Sequence, residues 1–369
     1  MPDRIVRVEA ELAGYSAASN VAAHAARHAV SSLDRTIARS KEQLYVIDDL
    51  VLENGQHLKD ARINFVTLGT PQRDANGCIN NAVLLIHGTA SNWRAYADSW
   101  WTKAMYGPGQ PLDLERTFVV ISDNLGAGHS SKPSDGLRMT FPRYQHSDVV
   151  EAQHRLISEH LGIAQLCAAI GSSYGGRLCW QWAIQHPTAL RGVIPMIASP
   201  FANAGRRGMQ DYLGQEPLLS DPSWQGGEYA QQPRNFRLAL MAYWVFLDGA
   251  QHLWEVAPTR AQALHYLPEL AIKLAASLDA NDWIYQLRVN DDFDAASSLD
   301  RITAQVLAIE LEGDEMVPVE LGQIDQVKQR LGERIDYLLI KDSGRGHSAL
   351  PHVINKVAPR IGAFLQGLD

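Results

Sequence analysis

Six apolar runs separated by helical periods constrain this chain more than any other feature. They are "AVLLIHG" (82–88), "TFVVISDNLG" (117–126), "QLCAAIGSS" (165–173), "LRGVIPMIAS" (190–199), "AQVLAIELEGD" (304–314) and "IDYLLIKDSG" (335–344). Near-continuous apolarity is what a strand buried on both faces requires, and parallel sheets wrapped by helices bury strands in that way. Helical periods at 147–161, 174–186, 319–331 and 351–366 supply the covering layers. Two earlier runs, "LYVIDDLVL" (44–52) and "RINFVTLG" (62–69), also read as strands, and the second alternates like an antiparallel one. The pattern predicts an α/β fold with a mostly parallel, doubly wound sheet, its core formed by residues 41–200 and 301–369. Residues 201–300 have helical patterns without convincing strands and are expected to form an inserted helical cap or lid. The Ala-rich residues 1–40 are expected to form an N-terminal helical extension without chemistry of their own.

Composition narrows the function. With 369 residues and 46% hydrophobic content, the chain can bury one large core. A net charge of −8 and the lack of a long basic run argue against nucleic acid. No apolar stretch is long enough to span a membrane, and the N-terminus lacks the apolar segment of a secretory signal. Three cysteines, Cys78, Cys167 and Cys179, suggest a reduced, cytoplasmic setting. No phosphate loop, HExxH or CxxC occurs, so no metal or other cofactor is expected. The oligomeric state stays open, with a homodimer as one expectation.

The chemistry concentrates at Gly171-Ser172-Ser173-Tyr174-Gly175-Gly176, between a strand and a helix. Gly-x-Ser-x-Gly in that context is the nucleophile-elbow pattern, which makes Ser173 the candidate nucleophile. Ser172 is one residue early for the motif. A serine hydroxyl needs a base to take its proton. The partners are expected in the chain order Ser, acid, His. Asp314, just past a strand end in "LEGDEMVP", is the candidate acid, with Glu312 and Glu315 as solvated competitors. His347, in the loop "SGRGHS" after the last strand, is the candidate base, while His352 reads as structural. Two backbone N–H groups must face the developing oxyanion. Tyr174 and Thr89 are the candidates. Trp93, Trp100 and Trp101 lie near the same loop as pocket or core residues.

These residues, with three further motifs, resemble the homoserine O-acetyltransferase branch of the α/β-hydrolase superfamily. The motifs are "YGPGQPLDLERTFVVISDNLG", "DPSWQGGEY" (221–229) and "DANDWIYQLRVNDDFD" (279–294). The resemblance spans most of residues 60–365. It implies an α/β-hydrolase fold and an acyl-enzyme on Ser173, released either to a bound alcohol or to water. Members that acylate hydroxyl amino acids from a CoA thioester place Asp directly after the catalytic His. Here that position is Ser348. They use a cap Arg for the substrate carboxylate, a part that Arg237 is expected to fill with Tyr243 beside it. "NLGAGHSSKPS" (124–134) looks like the hydrolase members. An ammonium group without a carboxylate partner is costly to bury. The sequence therefore favours a serine esterase cleaving a small-molecule carboxylic ester with a Ser-His-Asp triad. The alternative is an O-acyltransferase with acetyl-CoA as co-substrate, its acceptor's ammonium held by a cap acid such as Asp282 or Asp291. A catalytically silent binding protein on the same fold is a further alternative, disfavoured because Ser173, Asp314 and His347 are all present.

Overall fold

The computed structural model describes residue 37, residues 40–341 and residues 344–368. The helical extension expected over residues 1–40 falls outside these, apart from Ile37 and Ser40. The described residues form an eight-stranded sheet in the order β1-β2-β4-β3-β5-β6-β7-β8. The strands are β1 (Gln43–Val51), β2 (His57–Leu68), β3 (Ala82–Ile86), β4 (Phe118–Ser122), β5 (Leu166–Ser172), β6 (Leu190–Met196), β7 (Gln305–Leu311) and β8 (Ile335–Ile340). β1–β2 and β2–β4 pair antiparallel, and the remaining pairs are parallel.

Each of the eight runs seen in the sequence becomes a strand, and alternation decides what each side chain covers. On β3, Leu84 and Ile86 enter one core, while Val83 and Leu85 enter the other. Helices α1 (Ser99–Met105) and α10 (Leu350–Gln366) pack on the second face. Helices α2 (His146–Arg155) and α3 (Tyr174–Gln185) pack on the first. From β3 the chain moves to β4 on one side and then to β5 on the other. The β3–β5 boundary is therefore the topological switch point, where the strand ends open a crevice.

Between β6 and β7 lie five α-helices and no strand: α4 (Gly205–Leu219), α5 (Phe236–Trp244), α6 (Ala250–Val256), α7 (Arg260–Ala275) and α8 (Ala280–Arg288). They enclose an apolar core of their own. In it Trp283 meets Tyr243 edge-on, with 5.0 Å between ring centroids, and stacks on Trp244 at 5.7 Å. Helix α9 (Gln323–Leu331) follows β7.

The cap is pinned to the core by α8. Gln286 accepts from the Ala90 N–H at 2.8 Å and donates to the Gly126 carbonyl at 3.1 Å. The Asp282 carboxylate accepts from both the Ser134 N–H (2.8 Å) and its hydroxyl (2.7 Å).

Burial pushes the Asp282 carboxyl up to about 7, although the Ser134 hydrogen bonds oppose the shift. In the unfolded chain an aspartate titrates near roughly 3.9. Between these values the folded state holds a proton that the unfolded state has lost. The contribution of Asp282 to stability is thus full below about pH 4 and is lost as pH rises through about 7. Asp282→Asn keeps an acceptor for the Ser134 N–H and removes the charge. Thermal melts should show Asp282→Asn more stable than the parent at pH 8, with the gap closing toward pH 5. A lower melting temperature for the variant at pH 8 would mean that the buried charge itself holds the cap.

Candidate active site

Ser173 is the single residue between β5 and α3. Its backbone sits at φ 56°, ψ −120°, a region that costs a non-glycine residue about 1–3 kcal/mol. The turn is too tight for side chains on either flank. A Cβ on Gly171 would stand 2.3 Å from the Gly175 carbonyl oxygen, and one on Gly175 would stand 2.0 Å from that of Ile86. The Ser173 N–H is held by the Met196 carbonyl at 2.9 Å. Ser172 differs physically: it is the last residue of β5, in register with Met196 inside the sheet.

The three residues expected to act together are brought together. Ser173 Oγ lies 2.8 Å from His347 Nε2, and His347 Nδ1 lies 2.7 Å from Asp314 Oδ2. Asp314 is buried just after β7, and its other oxygen accepts from the N–H groups of Met316 (2.8 Å) and Val317 (3.2 Å). Facing a carboxylate, Nδ1 carries the imidazole proton, which leaves the Nε2 lone pair for the serine hydroxyl. His347 opens a short 3-10 turn before α10, preceded by Gly346 at φ 63°. Of the competing acids, Glu312 is exposed and Glu315 pairs with Arg206.

The loop after β3 reaches the same point. Gly88 lies against the elbow, where a Cβ would be 3.4 Å from the Ser172 carbonyl oxygen, and Thr89 borders the space beside Ser173. Tyr174 opens α3, where N–H groups have no intrahelical acceptor. A residue whose role the sequence did not disclose orients this loop. His87 is buried, and burial pulls its imidazole below its ordinary range. The Asn124 N–H donates to its Nε2 at 3.0 Å, which puts the ring proton on Nδ1, and Nδ1–H donates to the Gly88 carbonyl at 2.8 Å. A peptide group is planar and trans. Fixing the Gly88 carbonyl therefore fixes the Thr89 N–H on the opposite side of the same peptide.

A cavity of about 310 Å³ lies over Ser173 and His347. Tyr96, Trp100, Tyr243, Trp244 and Leu247 give it an apolar wall, and His252, Glu255, Arg345, Ser348 and His352 supply polar groups. Trp93 and Trp101 are core residues. His352, read from sequence as structural, borders the cavity.

A small recess on the other side of Ser173 is bordered by Arg177 and Arg207. Arg207, on α4, donates to the Tyr243 hydroxyl at 3.2 Å and pairs with Asp211 at 3.3 Å. Burial, and then the neighbouring Arg207, pulls the Arg177 guanidinium down to about 9. The cap arginine expected here, Arg237, is exposed on α5, opposite the buried stripe of Phe236, Ala239, Leu240 and Tyr243. Arg207 takes the place near Tyr243 that the sequence reading gave to Arg237. The signal for it was present: Arg207, Asp211, Gly214 and Leu218 recur at helical spacing on the inward face of α4. Asp282 and Asp291 are not in the cavity either. The first is bound to Ser134 and the second pairs with Arg143.

Residues 81–234 match the family model described as the alpha/beta hydrolase fold. The serine O-succinyltransferase of Frateuria aurantia is 30% identical over 86% of this chain and 96% of its own length. This chain belongs to the homoserine O-acetyltransferase-like branch of the α/β-hydrolase superfamily. The homoserine O-acetyltransferase of Carboxydothermus hydrogenoformans is 28% identical over 86% of this chain and 93% of its own. The crystal structure of homoserine O-acetyltransferase from Bacillus anthracis superposes with a TM-score of 0.78 at 25% identity, covering 88% of this chain and 97% of that one. An acetylester hydrolase from Corynebacterium glutamicum shares the fold with a TM-score of 0.73 at 21% identity, over 88% and 96% of the two chains.

The elbow geometry separates the two adjacent serines. A fluorophosphonate should label Ser173 alone when mapped by mass spectrometry. Ser173→Ala should abolish both labelling and turnover, whereas Ser172→Ala should retain appreciable activity. Label on Ser172 would overturn the register.

Proposed function

We propose that the protein is an O-acyltransferase that carries an acyl group on Ser173 from an acyl-CoA thioester to a small hydroxyl acceptor. The observation that carries this reading is the charge in the cavity over Ser173. A carboxylate, Glu255, and a guanidinium, Arg345, border a volume suited to a small molecule. Ser348 stands where the resemblance to the transferases expects an ammonium-binding Asp. Glu255 offers that ammonium a different carboxylate. The full-length likeness to acetyl- and succinyltransferases also favours an alcohol acceptor over water.

In this mechanism His347 Nε2 takes the Ser173 proton as Oγ attacks the thioester carbonyl. The N–H groups of Thr89 and Tyr174 hold the oxyanion. Collapse expels the thiolate, which takes the proton from His347. The acceptor hydroxyl then gives its proton to His347, attacks the acyl-enzyme and displaces Ser173, which is reprotonated. Asp314 holds the imidazole in the required tautomer and stabilises its cation. The aromatic wall from Tyr243 and Trp244 limits the access of water to the acyl-enzyme. Cytoplasmic work would suit a CoA substrate, and no helix among the described residues is long and apolar enough to cross a membrane.

Ester hydrolysis is the second reading, favoured by Ser348 and by the hydrolase-like stretch from Asn124 to Ser134. A partition assay distinguishes the two. Ser173 is acylated from acetyl-CoA or from an activated ester, L-homoserine or L-serine is added in large excess, and O-acyl product is measured against free acid. Transfer should predominate. Free acid in the presence of saturating acceptor would replace this reading with the hydrolase. A charge-assisted hydrogen bond contributes roughly 1.5–3 kcal/mol. Glu255→Gln should therefore raise the acceptor KM about 10- to 100-fold while leaving cleavage of an activated ester nearly unchanged.

A further inference from the structure

Away from Ser173, α2 and α3 place Glu151, His154 and His186 together, with one ligand atom from each within 4.8 Å of the others. Glu151 and His154 are three residues apart on α2, so they share one helix face. His186 is the residue that ends α3. Two hydrogen bonds fix the helices side by side: Trp182 Nε1 donates to Gln153 Oε1 at 2.8 Å, and Gln185 Nε2 donates to the Ser147 carbonyl at 3.2 Å.

The three side chains are only partly satisfied by one another. His186 Nε2 is buried without a hydrogen-bond partner of good geometry, and it stands 3.4 Å from Glu151 Oε2. The two imidazoles lie face to face, 3.8 Å between centroids and 7° from parallel. Such a stack suits neutral rings and opposes two cations. Arg155 and Glu159 also face the group, and they pair with each other at 3.0 Å. The cluster offers two imidazoles and a carboxylate on partly exposed side chains, with the His186 Nε2 atom itself buried among them.

We propose that Glu151, His154 and His186 form a binding site for a divalent transition cation of the zinc class, clamping α2 to α3. Two imidazoles and one carboxylate are a ligand set that zinc accepts, with water completing the tetrahedron. Ligand atoms around such an ion stand roughly 3.3 Å apart, given bonds of about 2.0–2.1 Å. The trio must therefore close by up to about 1.5 Å, and the His154 ring must turn out of the stack so that its lone pair meets the ion. That motion is a side-chain rotation at a partly exposed site, with both helices held in place. The site contains none of the groups assigned to acyl transfer, so it stands whether or not that function does.

The test is isothermal titration of the untagged, metal-stripped protein with zinc alone, supported by thermal melts. The parent should bind one zinc ion and melt at a higher temperature when zinc is present. Glu151→Gln, which is isosteric, and His186→Ala should each weaken binding at least tenfold and remove the rise in melting temperature. His57→Ala, at an exposed histidine on β2, should bind zinc within twofold of the parent. Melts of the metal-free variants check that each remains folded. Absence of zinc binding by the parent would overturn the proposal, and so would binding that survives both Glu151→Gln and His186→Ala.

Discussion

The turn at Ser173 depends on backbones approaching more closely than side chains permit. Gly175 lies under the end of β3, with the Ile86 carbonyl where its Cβ would be, and Gly171 faces Gly175 across the turn. That contact draws α3 against β3 and β5 and forces the intervening serine to a positive φ. The cost of the strained conformation is met by the packing on both sides of the sheet, where β3 is fully buried and β5 is buried from Ala168 to Gly171. Once the turn is fixed, the ends of β3, β5, β7 and β8 fix everything else. Each contributes one part of the site: Thr89, Ser173, Asp314 and His347. No two of these residues are close in sequence, so their convergence within hydrogen-bond distance comes from strand order.

A buried polar chain stiffens this arrangement from behind. Trp182 on α3 donates to Gln153 on α2, Gln153 donates to Asn124 at 2.9 Å, and the Asn124 backbone donates to His87. His87 then holds the carbonyl of Gly88. Each buried polar group in the series finds a partner, as burial demands. The helices on one face of the sheet and the peptide beside Ser173 are therefore linked by directional bonds as well as by apolar packing. Asp123 anchors the neighbouring loops in the same way, accepting from Trp93 N–H, His129 N–H and the Asn64 side chain.

Legibility in the sequence follows the reach of the interactions involved. The strands could be read because burial on both faces writes an uninterrupted apolar run, as in "AVLLI". Ser173 could be read because the turn is local and its glycines are obligatory. Asp314 and His347 were reachable through chain order and their positions after strands. The cap was legible only as helix. Which face of each helix turns inward depends on the neighbouring helices, and the spacing that joins Arg207 to Asp211, Gly214 and Leu218 gains its meaning only once that face is known. The structure separates the two arginines by burial: Arg237 faces solvent, while Arg207 lies against Tyr243 and Asp211.

The same limit governs the question of water against alcohol as acceptor. The sequence compares one position, Ser348, with a motif, and the absence of a carboxylate there argues for water. A binding site is defined by charges that converge in space, and α6 brings Glu255 to the same cavity from some ninety residues away in the chain. Glu255 is exposed, accepts from the Gln251 side chain at 3.0 Å and borders the cavity, and a carboxylate so placed acts on an ammonium through distance, whatever its place in the sequence. Loss of a motif residue therefore removes one solution to holding the ammonium and leaves the requirement open to others. The acceptor is decided by the sum of charges the cavity presents, and in this protein that sum includes Glu255 on the cap.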